Sequence, residues 1–278
     1  MEEFVTLAQI DQAVEAIRAR TERKPRVGMI LGSGLGDLAN LVENPDIIPY
    51  KDIPNWPVST VEGHVGQLVI GELEDQPVMV LQGRVHYYEG YTMGQTTFPV
   101  RVMQRMGVEM LFVTNAAGAI NPEFEPGDIM LITDNITLLP MSGPNPLRGP
   151  NMEEFGQRFP DMSRSYDRDL AQLFRDIANE KNTAYREGVY ICLAGPSFET
   201  PADLRFLHTI GCDAVGMSTV PEVIVAHHGG TRVLGVSGIS NKANLDGSTV
   251  TTHEEVLQAG KEIVPKLKTI FLEILRRV

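Results

Sequence analysis

Short apolar runs of strand length alternate with stretches of helical period along most of this chain, and that alternation leaves few architectures open. Apolar runs stand at residues 26–31 (RVGMIL), 78–81, 110–114, 129–136 (IMLITDNI, opened by Gly127 and Asp128), 188–193, 214–217 and 232–237. Residues 97–106, 169–180, 202–210 and 221–228 between them read as helices, with Pro99 close to the start of the first. A helix over 6–20 precedes the series, with Leu7, Ile10, Val14 and Ile17 at helical spacing. Another runs from Thr252 to the end and gathers Ile263, Val264, Leu267, Ile270, Phe271 and Ile274 on one stripe. Alternation of this kind predicts an α/β fold. Residues 140–151 (PMSGPNPLRGPN) are dense in Pro, Gly and Asn and read as a loop. No linker, low-complexity segment or internal repeat divides the chain, so residues 1–278 read as a single domain.

Composition narrows the classes further. Apolar residues make up 42% of the chain, enough for a core without staples. Cys192 and Cys212 form no C-x-x-C pair and lie near no His at ligand spacing, so neither a disulfide scaffold nor a structural zinc site is expected. A net charge of −12 argues against a nucleic-acid partner, although amides and an Arg can still bind a small anion locally. The N-terminus lacks a basic region and an apolar core, and no apolar run is long enough for a membrane span. The expected location is the cytoplasm, with no membrane partner.

Ligands of open α/β sheets collect at the carboxyl ends of strands, so the strand ends carry the functional argument. Gly32-Ser33-Gly34-Leu35-Gly36 follows the first strand. It can crowd backbone N–H groups around an anion, or it can be a plain strand-to-helix turn. It is not a dinucleotide fingerprint, because Asp37 stands where the third Gly is needed, and no Lys follows to make a Walker A loop. Arg84 and His86 face one way in extended chain, which suits a phosphate; the alternative is a solvated edge strand with a surface pair to Glu89. His64 lies between glycines and can be a turn residue only. Asn115-Ala116-Ala117-Gly118 allows close approach of a ligand or of a helix.

Gly195-Pro196-Ser197-Phe198-Glu199-Thr200-Pro201 sets a carboxylate beside an aromatic ring, as a planar base would need; Thr200 equally reads as a helix cap. Val215-Gly216-Met217-Ser218-Thr219-Val220-Pro221-Glu222 offers a hydroxyl at Ser218 and a thioether at Met217, or a cap and a core residue. Asn241, in Ser240-Asn241-Lys242-Ala243, can donate and accept toward one planar ligand. His253 follows Thr252, which with Glu255 makes a capping box, so it can be a first-turn residue alone.

Together these segments, with Glu62-Gly63-His64-Val65-Gly66, Tyr88-Glu89-Gly90 and His253-Glu254-Glu255-Val256-Leu257, make the chain resemble the trimeric purine nucleoside phosphorylases along nearly its whole length. The resemblance implies one α/β domain on a twisted mixed sheet, assembled as a homotrimer, with inorganic phosphate as co-substrate and neither metal nor organic cofactor. It implies a phosphate site of Ser33, His64, Arg84, His86, the backbone N–H of Ala116, and Ser218. The sugar would meet Tyr88, Met217 and His253. The base would meet Glu199 and Asn241, with Phe198 beside it and Val215 among the lining residues. Phe159 would reach a neighbouring subunit's site. His86, Glu199, Asn241 and His253 would carry the catalysis. Ser240 departs from the Thr of many relatives but keeps the hydroxyl.

The implied activity is reversible phosphorolysis of inosine, guanosine and their 2′-deoxy forms, in purine salvage. A methylthioadenosine phosphorylase would carry Asp in place of Asn241. A xanthosine-accepting phosphorylase, a nucleoside sensor and a nucleoside hydrolase are the remaining alternatives.

Overall fold

The computed structural model describes residues 4–61, 64–243 and 252–278; the side chain of His253 lies outside the described residues. Glu62 and Gly63 also lie outside them. The strands are β1 (Val27–Leu31), β2 (Glu43–Pro49), β3 (Gln67–Leu73), β4 (Gln76–Gln82), β5 (Met110–Ala119), β6 (Ile129–Ile136), β7 (Arg186–Cys192), β8 (Ala214–Gly216) and β9 (Arg232–Lys242). The helices are α1 (Leu7–Arg18), α2 (Met93–Thr96), α3 (Phe98–Met106), α4 (Leu138–Met141), α5 (Arg168–Glu180), α6 (Pro201–Thr209), α7 (Val220–His228) and α8 (His253–Leu275).

One mixed sheet contains all these strands, in the order β2-β3-β4-β1-β5-β8-β7-β6-β9, with β9 pairing back onto β5. The second half therefore closes on itself, while β2, β3, β4 and β1 extend from it as an open wing. Side chains alternate across the strands as the pleat requires. Met29 and Leu31 of β1, Val78 and Val80 of β4, and Met110 and Phe112 of β5 pack toward α5 and α8. Ile30, Met79, Leu81, Leu111 and Val113 face α1, α3 and α7 on the other side. The chain is thus a three-layer α/β fold, as its alternation predicts.

β5 creates the crevice. One of its edges pairs with β9 along the whole strand. The other edge is shared. β1 takes it from Met110 to Val113, running parallel, and β8 takes it at Gly118 and Ala119, running antiparallel. Between the two lies an opening at Thr114–Ala117, a point where strand direction and neighbour change together, which is where α/β sheets hold ligands.

Several boundaries differ from the sequence expectation. β5 runs on through Asn115-Ala116-Ala117-Gly118 and β9 through Ser240-Asn241-Lys242, because each pairs with the other to its end. β2 and β3 carry no clear strand signal. β2 reads ENPDIIP and buries only Ile48 fully, and the apolar run of β3 is three residues before Gly71. The expected loop at 140–151 loses its first two residues to the single turn of α4, and the stretch without strand or helix continues to Asp167.

Candidate active site

A cavity of about 540 Å3 opens at the β5 crevice, within the range of small-molecule sites. One end of it is basic and hydroxyl-rich. Gly32 and Ser33 reach it directly from β1, and the loop tolerates only glycine at 32. A Cβ there would lie 2.7 Å from the Asn115 Cα, and Gly32 N donates to Thr114 Oγ1 at 3.2 Å. Ser33 Oγ lies 3.4 Å from His64 Nε2. The ring of His64 is 5.4 Å from that of His86.

Arg84 follows β4 after Gly83, whose φ of +106° turns the chain away from the strand. The Tyr50 hydroxyl pins that turn by donating to Gly83 O at 2.7 Å. Arg84 is not a solvated edge residue: it is 3% exposed. Its Nη1 donates to Ser218 Oγ at 2.7 Å and to Thr219 Oγ1 at 3.1 Å, and its Nη2 to Thr114 O at 2.7 Å. The buried Glu222 carboxylate lies 3.3 Å from its Nε. Ser218 Oγ accepts from Arg84 and also lies 3.4 Å from Thr219 Oγ1.

The surface pair to Glu89 is also corrected. Glu89 does meet its partner, but that partner is His86, and the contact is buried. Glu89 Oε1 accepts from His86 N at 2.7 Å and lies 3.1 Å from His86 Nδ1. Its Oε2 accepts from Thr60 N and Thr60 Oγ1. Burial pushes the carboxyl pKa up, but hydrogen bonds from His86 and Thr60 outweigh it and bring it down to about 2. An ionised Glu89 fixes the Nδ1–H tautomer of His86 and leaves Nε2 for a ligand. Tyr88 stacks on His86 at 4.8 Å, and its phenol is pushed up to about 12, mainly by burial.

The other end of the cavity carries Phe198, Glu199, Val215 and Asn241, with Met217 and Tyr88 on the way to the anion end. Thr200 caps α6 in a capping box with Asp203, so the cap reading holds, and Glu199 nevertheless faces the cavity. Burial raises the Glu199 pKa above its ordinary value. Asn241 Oδ1 accepts from Ser240 Oγ at 2.8 Å.

The structure thus brings Ser33, Arg84, His86, Tyr88, Ala116, Phe198, Glu199, Val215, Met217, Ser218 and Asn241 to one cavity. His64 joins them through Ser33 and His86. His253 begins α8, and its side chain lies outside the described residues. Phe159 stands apart, 83% exposed, with the Arg158 guanidinium 5.7 Å from its ring.

Three neighbours of Arg84 escaped sequence reasoning. Asn115, Thr219 and Glu222 are all buried. Thr219 is conspicuous in backbone terms: φ is +74° and ψ −58°, and Val220 N bonds back to Ser218 O at 2.9 Å. That is a γ-turn of the strained, positive-φ kind. Non-glycine strain of this order costs about 1–3 kcal/mol and persists where surrounding structure imposes it. Glu89 had a usable signal, its i+3 spacing from His86; the other three had none.

The fold and this site define a member of the phosphorylase superfamily: residues 26–276 match the family model of that description, and the chain belongs to that family. Among individual relatives, purine nucleoside phosphorylase 1 of Bacillus subtilis (strain 168) is 53% identical over 97% of each chain. The crystal structure of Schistosoma mansoni purine nucleoside phosphorylase in complex with adenosine superposes with a TM-score of 0.95, at 40% identity over 99% of each chain. The inosine complex of the Schistosoma mansoni enzyme superposes at 0.94, with 39% identity over 99% of this chain and 98% of that one.

Proposed function

We propose that the chain is a purine nucleoside phosphorylase that converts inosine, guanosine and their 2′-deoxy forms, reversibly, to free base and (deoxy)ribose 1-phosphate. The observation that carries this reading is an anion end and a base end in a single cavity. Ser33, His64, Arg84, His86, Ala116 and Ser218 hold inorganic phosphate. Tyr88, Met217 and His253 meet the sugar. Glu199 and Asn241, with Phe198 and Val215 beside them, take the purine. Phosphate is the co-substrate, and the reaction calls on no metal or organic cofactor.

The C1′–N9 bond breaks early, and its electron pair leaves with the purine. The sugar becomes oxocarbenium-like. The phosphate stabilises that charge and then donates an oxygen lone pair to C1′. Asn241 hydrogen-bonds at N7 and O6, where negative charge grows, and so favours the transition state over the ground state. Ser240 holds Asn241 Oδ1 and Lys242 O accepts one Nδ2 proton at 3.3 Å, so the second Nδ2 proton is left to donate toward N7. The Glu199 carboxylate accepts from N1–H of hypoxanthine or guanine, and it repels the N1 lone pair of adenine.

Glu199→Ala is expected to lower kcat/KM for inosine by about a hundredfold or more with the melting temperature little changed. Steady-state kinetics returning a value close to that of the unaltered enzyme would remove Glu199 from base recognition.

The same reading gives a cytoplasmic single-domain enzyme that forms a homotrimer, without nucleic-acid or membrane partners. Among the described residues no helix is long and apolar enough to cross a membrane. Phe159 supports the trimer. Its ring is exposed and outside its own chain's cavity, as a residue completing a neighbour's site would be.

A further inference from the structure

We infer that Thr219 is a positioning residue for the phosphate end of the site, acting through the Arg84 guanidinium. The inference rests on the phosphorylase reading above and concerns a residue that never touches the nucleoside.

Thr219 holds the N-cap position of α7, yet it does not cap that helix. Thr97 and Thr137 also leave their helices uncapped, but at the other four threonine N-caps the hydroxyl does cap. Thr6, Thr92, Thr200 and Thr252 each accept from the amide three residues on, in full capping boxes. The Thr219 hydroxyl is turned instead toward the crevice. There Oγ1 accepts from Arg84 Nη1 at 3.1 Å and from Asn115 Nδ2 at 2.9 Å. The hydroxyl therefore joins the end of β4, the middle of β5 and the start of α7 at one buried atom.

The positive-φ turn is what permits this arrangement. A threonine in the usual extended N-cap conformation would direct its oxygen at its own helix. The residue is fully buried, and the strain is retained despite the cap that is forgone. Strain held at a site by surrounding bonds points to function.

The consequence for Arg84 is geometric. Glu222 approaches Nε from one side, Thr114 O takes Nη2, and the Ser218 and Thr219 hydroxyls share Nη1. A planar guanidinium gripped along its rim has one orientation, and the Nη2 proton not taken by Thr114 is left for the phosphate. Without Thr219 Oγ1, Nη1 loses one acceptor and the Asn115 amide loses its partner. The guanidinium can then rotate away from the anion.

Three variants test this, with phosphate KM, inosine KM, kcat and the melting temperature read for each. Thr219→Val keeps the shape and removes the hydroxyl. It is expected to raise the phosphate KM about tenfold or more while the inosine KM at saturating phosphate moves less than about threefold. Thr219→Ser keeps the oxygen and is expected to stay within about threefold in both. Thr219→Gly relieves the backbone strain, so it is expected to melt no lower than the unaltered protein while still losing phosphate affinity. This last variant separates the claim from a merely structural role, in which stability and affinity would move together.

A Thr219→Val or Thr219→Gly enzyme with an unchanged phosphate KM would overturn the inference. So would equal rises in both KM values. If the unaltered protein releases hypoxanthine from inosine without phosphate, the phosphorylase reading itself fails, and that outcome is visible before any variant is made.

Discussion

On the proposed reading, substrate choice turns on Asn241 and Glu199. Glu199 sits in a partly buried wall, and burial raises its pKa, so its ionised form is poorly solvated until a ligand N–H approaches. A 6-oxopurine supplies that N–H and adenine does not. Asn241 donates from Nδ2, so it suits N7 and a 6-oxo group, both of which accept. An Asp in its place could accept from a 6-amino group when ionised. Asn241→Asp is therefore expected to raise adenosine turnover relative to inosine by about tenfold or more. Competition assays with both nucleosides check this, and an unchanged ratio would contradict the selectivity argument. The sequence brings both forward as candidates, Asn241 near the end of a strand and Glu199 between two prolines just before the cap of α6. It does not bring forward Glu222 and Thr219, since a buried ion pair and a strained turn are made by the tertiary structure. In the one-dimensional pattern Glu222 is an ordinary first-turn acid and Thr219 an ordinary cap.

At the level of elements, the site exists because β5 gives one edge to two different strands. β1 leaves that edge at Val113 and β8 joins it at Gly118. The glycine loop after β1 turns into the resulting gap and lies against β5. Gly32→Ala would drive a methyl group to 2.7 Å from the Asn115 Cα, which is backbone and cannot step aside. Overpacking of this kind costs about 1–3 kcal/mol. The expected result is a melting temperature lower by several degrees together with a raised phosphate KM, read by calorimetry and kinetics. An alanine variant indistinguishable from the original would show that the loop can move off β5. The helices and the long apolar strands were readable from periodicity. β2 was not, because an edge strand with one fully buried side chain has no apolar alternation to detect. The pairing of β5 with both β1 and β8 was also beyond reach, since register is set by contacts distant in sequence.

For the molecule as a whole, the acidic net charge and the basic end of the cavity are compatible because the positive charge is buried and local. Phe159, exposed and outside the lining of its own cavity, is the residue that the proposed assembly assigns to a neighbouring site. Analytical ultracentrifugation is expected to give three times the chain mass for the unaltered protein. A monomer with full activity would remove Phe159 from any neighbouring site. The central claim is that phosphate, not water, takes the sugar. It is tested most directly by incubating the purified protein with inosine, with and without inorganic phosphate, and separating the products. The account predicts hypoxanthine and ribose 1-phosphate in equal amounts, formed only when phosphate is present. Hypoxanthine and free ribose formed without phosphate would contradict it.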